Sequence, residues 1–457
     1  GVGCLRDFQV HLHVDPSVQP VAQPHRRIPF SMRKPLEEEL KRLQSLDITE
    51  RAEGPTPWVS PIVAVLKPHD PEHIRVCADM RCANEAIQRE RDVTPTVDDV
   101  LVALNGSVIF SKLDLKDRYH QLELGASSRV ITTFSTHAGL FRYKRLNFRI
   151  NSAAEVFQDT IQQVLANIPN VLNVSDDILV YGKTEREHDE ALRATLECLL
   201  ASGLTLNDRK CKFYQKELTF FGHMFSSKGV QPDPAKASAV LGASPPTSAS
   251  EVKSLLGLVT YCGRFIPYLA HLTQPLRKLI AKGVDWFWTD EQQNPLEELK
   301  RKLSEATALT YFDPQKDVTL TVDAAPHGLG AILTQTSGSE TRVVAYESRA
   351  LSPAEARYSQ IEREMLAVVW GIEHFHIYLY GTTFLLLTDH KPLVSILSNL
   401  RSLPSARLEC LALRIQQYTS EVQHTCGPSN PSDYLSRHLV NSLRKSLGAW
   451  SLSLKNM

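Results

Sequence analysis

The 457-residue sequence has no net charge: 51 Lys and Arg are matched by 51 Asp and Glu. The balance holds in each half, with 29 basic against 30 acidic residues up to position 230 and 22 against 21 after it. A protein held on nucleic acid by bulk charge would be basic, so any such binding must come from local patches. Long hydrophobic runs are also missing. Ile62–Leu66 and Met365–Ile372 fall far short of the ~18–20 residues needed to span a bilayer. The N-terminus, GVGCLRDFQV, lacks a basic stretch followed by an apolar one, which argues against a secretory leader. It also lacks an initiator Met, which suggests an excised fragment. Cysteines 4, 77, 82, 198, 211, 262, 410 and 426 show neither CxxC nor Cys/His zinc spacing, as expected of reduced thiols in an intracellular protein, cytoplasmic or nuclear. The length implies two to four domains.

Two composition changes divide the chain. Gly242–Ser250, GASPPTSAS, is too rich in Pro and small residues for an element interior, and Ser248 with Glu251 reads as a capping box opening a helix. Near Tyr311–Asp317 a charged helical stretch (Pro295–Thr307) gives way to alternation in Val318–Val322. Before Gly242 the pattern is mixed: a strand over Ser107–Leu115, a hairpin turning at His137–Gly139, a helix over Ser152–Asn167 and apolar runs hinged on Ser-Asp-Asp in Val171–Tyr181. After Asp317 come three strands, a long helix over Pro353–Tyr378, a strand, a helix, a strand and a final helix.

Asp114 ends a hydrophobic strand in SKLDLKDRYHQL, and Asp176 and Asp177 occupy a tight turn in NVLNVSDDILVYG. Adjacent acids between apolar strands raise each other's pKa unless a cation neutralises them. Divalent ions there would suit in-line phosphoryl transfer. Asp-Asp in a turn is also ordinary turn chemistry, so the pair alone decides nothing. Its surroundings do. Arg75-Val-Cys-Ala-Asp79-Met-Arg81, LDLKDRYHQL, FRYKRLNFRINSAAEVFQ, VSDDILVYG, LTLNDRKCKF and FFGHMFSSKGV follow in that order. The series resembles the fingers and palm of reverse transcriptases from gypsy-type LTR retrotransposons, and EVKSLLGLVTYCGRFIPYLAHLTQPLRKLI extends the resemblance into the thumb. It covers roughly Val18–Arg437.

The resemblance implies a multidomain α/β and α+β chain. Fingers and palm would occupy 1–240, thumb and connecting segment 241–310, a ribonuclease H domain with a mixed sheet 311–437, and a tail of uncertain order 438–457. It implies an RNA-directed DNA polymerase and a nuclease for RNA–DNA hybrids, using an RNA template, a DNA primer and dNTPs. Each active site would take two Mg²⁺ ions, with Mn²⁺ as a substitute. Protease and integrase regions would belong to the same polyprotein. Asp114, Asp176 and Asp177 would hold the palm ions, Arg75 the triphosphate and Tyr119 the sugar. Gln158 would shape the nucleotide pocket, Lys210 would donate a proton to pyrophosphate, and Phe221-Gly222-His223 would grip the primer.

Three positions depart from the family pattern. Arg118 stands where Gly or a small residue precedes the gate tyrosine, Leu146-Asn147-Phe148-Arg149 replaces Leu-Pro-Phe-Gly, and Val174 replaces an aromatic residue. Arg is costly where backbone needs φ > 0 or close approach. Both arginines are expected to project into the nucleotide pocket and impair polymerisation, as in a degenerate or domesticated copy. Four further acids end separate elements: Asp323 in LTVDAAPHGLGAIL, Glu364 in YSQIEREMLAVVWGIEHF, Asp389 in LLLTDHKPL and Asp433 in HTCGPSNPSDYLSR. They suit metal-assisted phosphodiester hydrolysis, and their setting resembles the family's ribonuclease H domain without a damaging substitution. The alternatives are a ribonuclease H alone, or a non-enzymatic nucleic-acid-binding relic.

Overall fold

A computed structural model describes residues 1–67, 70–90, 95–398 and 405–425. The chain forms two compact units, Gly1–Leu218 and Thr219–Met457. Both mix helices with sheets.

The first unit has two main sheets. One orders Thr49–Arg51, Gly139–Tyr143, Phe134–Thr136, Ser60–Lys67 and Asp70–Ala78. The other is antiparallel and contains β1 (Ile109–Asp114), β2 (Val171–Val174), β3 (Asp177–Gly182) and β4 (Lys212–Gln215), in the order β4-β1-β3-β2. Strand alternation accounts for β1: Leu113 is fully buried, while Lys112 and Asp114 are half-buried. Helix α1 (Ala153–Leu165) buries Val156, Phe157, Ile161 and Leu165. Helix α2 (Glu185–Ala201) is started by Thr184, whose hydroxyl accepts the Glu187 N–H at 3.2 Å.

In the second unit, the hairpin His223–Ser226/Gly229–Pro232 leads into a helical region. Ala249–Thr260 and Asp290–Ser304 share a core of Leu255, Val259, Leu296, Leu299 and Leu303. Val230 and Leu309 exchange backbone hydrogen bonds of 2.9 and 2.8 Å, fastening the hairpin to the chain entering the next sheet. That mixed sheet contains β5 (Asp317–Ala325), β6 (Gly328–Ser337), β7 (Glu340–Ala350), β8 (Thr383–Thr388) and β9 (Thr419–His424), in the order β7-β6-β5-β8-β9. Pairs β5–β6 and β6–β7 are antiparallel, whereas β5–β8 and β8–β9 are parallel. Helix α3 (Gln360–His374) covers the sheet with Met365, Val368, Val369 and Ile372.

One helix cap and two helix boundaries differ from expectation. The Ser248 hydroxyl accepts the Glu251 N–H at 3.3 Å as expected, but the Glu251 carboxylate returns to the Thr247 N–H at 2.7 Å. The charged helix begins five residues before Pro295, because Thr289 and Gln292 form a capping box. The expected long helix over Pro353–Tyr378 is interrupted. Ser359 donates from its N–H and hydroxyl to Glu362 at 3.0 and 2.9 Å, so α3 starts at Gln360, and a separate turn, His376–Leu379, follows. Among the described residues, no helix is long and apolar enough to cross a membrane.

Candidate active sites

Asp114 and Asp177 are direct partners across β1 and β3, and Ser175 and Asp176 form the turn joining β2 to β3. Ser175 takes φ 54°, an unfavourable value for a non-glycine residue. Gln158 holds it there. Its side-chain oxygen accepts the Ser175 N–H at 2.6 Å and its amide donates to the Asn173 carbonyl at 2.9 Å. Gln158 is buried and lines no part of the neighbouring cavity, so it acts on the site through the turn.

That cavity, about 590 Å³, is lined by Asp114, Asp176, Arg75, Arg118, Tyr119 and Lys210, among others. All three acids face a cation. Lys112 Nζ lies 2.6 Å from Asp177 Oδ2, Arg118 Nη1 2.5 Å from Asp176 Oδ1, and Lys210 Nζ 3.7 Å from Asp114 Oδ2. Burial still raises the Asp177 carboxyl above the usual range, with Lys112 opposing. Lys112 was missed in the sequence, although the strand period places it on the Asp114 face. The Tyr119 ring packs edge-on against Phe157 at 5.5 Å, and the Arg118 guanidinium lies 4.4 Å from its centroid. Arg118 is therefore held between the tyrosine ring and Asp176.

Two expectations about the arginines fail. Neither Arg118 nor Arg149 has positive φ; the left-handed residue is Asp117, at φ 46°. Nor does Arg149 enter this cavity. Its guanidinium lies 5.2 Å from the Phe148 centroid, beside a separate hollow of about 340 Å³ that includes Asp79 and Met80. Val174 is buried opposite Asp177. In the second unit, Phe221 and Gly222 adopt φ 50° and 74°, with Phe221 exposed.

The second constellation converges differently. Asp323 lies on β5, Asp389 directly follows the adjacent parallel strand β8, and Glu364 sits early in α3. One oxygen from each lies within 4.8 Å of the others, the single such group of three among the described residues. Glu364 is buried. Gln360 donates to its Oε1, while its Oε2 is buried without a hydrogen-bond partner. Its carboxyl is pushed up to about 8, chiefly by burial and then by Asp323 and Asp389. The Asp323 carboxyl is also raised, first by burial and then by Asp389. An orphaned buried oxygen among three acids is the environment a divalent cation would satisfy, so these residues fit a metal. Glu362 is occupied elsewhere, capping α3 and pairing with Arg407 at 2.9 Å. His424 Nε2 lies 3.2 Å from the Asp389 carbonyl oxygen. Asp433 lies outside the described residues.

Comparison with known proteins identifies two regions of the chain. Residues 65–225 match the family described as reverse transcriptase (RNA-dependent DNA polymerase), and residues 288–386 match the RNase H-like domain found in reverse transcriptase. The Retrovirus-related Pol polyprotein from transposon 412 of Drosophila melanogaster is 32% identical over 437 residues, covering 94% of this chain and 35% of that protein. The Transposon Tf2-3 polyprotein of Schizosaccharomyces pombe is 32% identical over 370 residues, covering 80% of this chain and 28% of that protein. The chain belongs to the reverse transcriptase–ribonuclease H family of LTR-retrotransposon polyproteins. It spans about a third of the length of these relatives.

Solved structures agree on the reverse-transcriptase fold. The foamy viral protease-reverse transcriptase dRH in complex with ds DNA gives a TM-score of 0.81 at 19% identity, covering 93% of this chain and 75% of that one. The foamy viral protease-reverse transcriptase in complex with RNA/DNA hybrid gives 0.76 at 19% identity, covering 93% and 57%. The matched reverse-transcriptase region contains Arg75, Asp114, Tyr119, Gln158, Asp176, Asp177, Lys210, Phe221 and Gly222. The ribonuclease H-like match contains Asp323 and Glu364 and ends three residues before Asp389.

Proposed function

We propose that this chain is a ribonuclease H for RNA–DNA hybrids joined to a reverse transcriptase whose polymerase site is impaired. The observation that carries the reading is the contrast between the two acid clusters. Asp323, Glu364 and Asp389 converge with an unpartnered buried oxygen, while Asp114, Asp176 and Asp177 each face a cationic side chain of the protein itself.

In the nuclease, Asp323, Glu364 and Asp389, with Asp433 as a fourth ligand, would hold Mg²⁺, or Mn²⁺ in its place. Two ions would neutralise the scissile phosphate and activate water for in-line attack. Burial of Glu364 keeps water from competing for its carboxylate, and Gln360 engages one oxygen and leaves the other, which would be available to hold an ion. In the palm, Asp114, Asp176 and Asp177 would hold the corresponding pair. Arg75 binds the triphosphate as a permanently charged donor, Tyr119 supports the sugar, Lys210 stands where a proton reaches the leaving pyrophosphate, and Phe221 and Gly222 hold the primer. Arg118 obstructs this machinery by claiming Asp176 and the space over Tyr119. Fingers and palm would span 1–240, thumb 241–310 and nuclease 311–437. The partners are an RNA template, a DNA primer, their hybrid and dNTPs, within a polyprotein that also carries protease and integrase, in the cytoplasm or nucleus.

The test uses a labelled RNA annealed to a DNA primer with Mg²⁺ and dNTPs, reading extension and cleavage in one reaction. The expected result is cleavage that Asp323→Asn abolishes and Asp176→Asn spares, with little extension. Rapid extension lost in Asp176→Asn would overturn the impaired palm. Absence of Mg²⁺-dependent cleavage would leave a nucleic-acid-binding relic.

A further inference from the structure

The nuclease carboxylates have a neighbour from outside the strands and helix that carry them. Asp323 on β5 is the direct partner of Gly330 on β6, and Gly330 is the direct partner of Ser348 on β7. Directly opposed antiparallel residues place their side chains on one face, so the three form a row that begins with Asp323. The segment Tyr268–His271, which precedes the sheet's first strand at Asp317 by more than forty residues of sequence, lies across that row. A Cβ at Gly330 would stand 2.5 Å from Tyr268 Cδ1 and Cε1, so the tyrosine ring fills the place of a side chain beside Asp323. The Ala270 N–H donates to Ser348 Oγ at 2.9 Å. Tyr268 itself is held at φ 54°. Arg264 Nη2, a few residues earlier, donates to the Tyr378 hydroxyl at 2.9 Å.

The segment ends in His271, whose ring stacks nearly parallel with His327 from the β5–β6 turn, centroids 6.5 Å apart and planes 12° apart. Both imidazoles are exposed, and His271 is close enough to act electrostatically on Asp323. A nucleic-acid strand entering a site lined by three carboxylates meets repulsion on its phosphates. Imidazole N–H donors at the rim offset it, since even a neutral histidine retains one donor.

We propose that Tyr268 and His271 form a wall of the nuclease site, Tyr268 fixing the segment against the sheet and His271, with His327, donating hydrogen bonds to an RNA phosphate next to the scissile one. This rests on the ribonuclease H reading above and adds to it a substrate contact contributed by the connecting segment. Tyr268 is a positioning residue; His271 touches substrate.

The test is steady-state cleavage of an RNA–DNA hybrid by the full chain, with KM and kcat resolved separately and Mn²⁺ binding measured by calorimetry. His271→Ala is expected to raise KM about ten-fold, the loss of one hydrogen bond to a charged group, with kcat and Mn²⁺ affinity unchanged. Tyr268→Ala, which removes the ring, should raise KM as His271→Ala does, and Tyr268→Phe, which restores it, should bring KM back toward the wild-type value. A wild-type enzyme that cleaves, together with a His271→Ala variant of unchanged KM or with a loss confined to kcat, would overturn the inference alone. A wild-type chain indistinguishable from Asp323→Asn would overturn the nuclease reading and this inference with it.

Discussion

At the scale of single residues, Arg118 separates the two sites most sharply. Its guanidinium bonds Asp176 and covers Tyr119, the ring proposed above to support the nucleotide sugar. The ion pair is partly exposed, so releasing it is worth at most about 1 kcal/mol, a several-fold change in affinity. Arg118→Gly should therefore lower the Mn²⁺ dissociation constant of the palm several-fold and raise primer extension, while leaving hybrid cleavage unchanged. Calorimetric titration beside an extension assay measures both, and an unchanged palm affinity would count against Arg118 as the obstruction. Arg118 and the acids were legible because residue type and order carry them. What could not be read was where each arginine would point. Arg149 looked equivalent in sequence, yet its side chain lies on Phe148 beside a different hollow. Lys112 was equally hidden, because its value depends on which strand pairs with β1.

At the scale of elements, the sheet of the first unit is fastened by an arrangement that imitates a nucleophilic triad. Ser111 on β1 lies 2.8 Å from His188 Nε2 on α2, and His188 Nδ1 lies 3.1 Å from Asp189 Oδ1. The Asp189 carboxylate can only accept, so Nδ1 donates to it and Nε2 accepts the Ser111 hydroxyl proton, while Ser111 Oγ accepts the Tyr214 N–H on β4 at 3.1 Å. Ser111 and His188 are completely buried, so no substrate reaches them. The trio is a staple between β1, α2 and β4. Ser111→Ala leaves His188 Nε2 without a partner and should destabilise the first unit by about 1–3 kcal/mol, seen as a lower denaturant midpoint with an unaltered slope. Strand identities were legible in the alternation of Val318–Val322 and the runs flanking Ser-Asp-Asp. Helix ends were less so, since the turn before α3 depends on whether Ser359 finds Glu362, a local choice that apolar periodicity does not register.

At the scale of the whole molecule, two compact units with unequal charge compensation should respond unequally to metal. In the metal-free protein, Glu364 holds its proton up to about pH 8, whereas in the unfolded chain it ionises near its ordinary 4.5. Its contribution to stability is complete below that ordinary value and is lost as pH rises through about 8, by up to roughly 1.4 kcal/mol per pH unit. Calorimetry of chelated protein should show two transitions. The one belonging to the second unit should fall with rising pH, and saturating Mg²⁺ at pH 8 should raise it by a few degrees, in line with the ~2.7 kcal/mol expected at a hundred-fold excess over the dissociation constant. Glu364→Gln should flatten the pH dependence, and a pH-independent second transition in wild type would contradict the assignment. The contact of Tyr268 with Gly330 and of Ala270 with Ser348 also bears on inheritance. When related elements recombine, a crossover falling between residues 271 and 317 joins one parent's tyrosine segment to the other's sheet. A nuclease module would keep this wall with its own sheet only where the breakpoint lies upstream of Arg264.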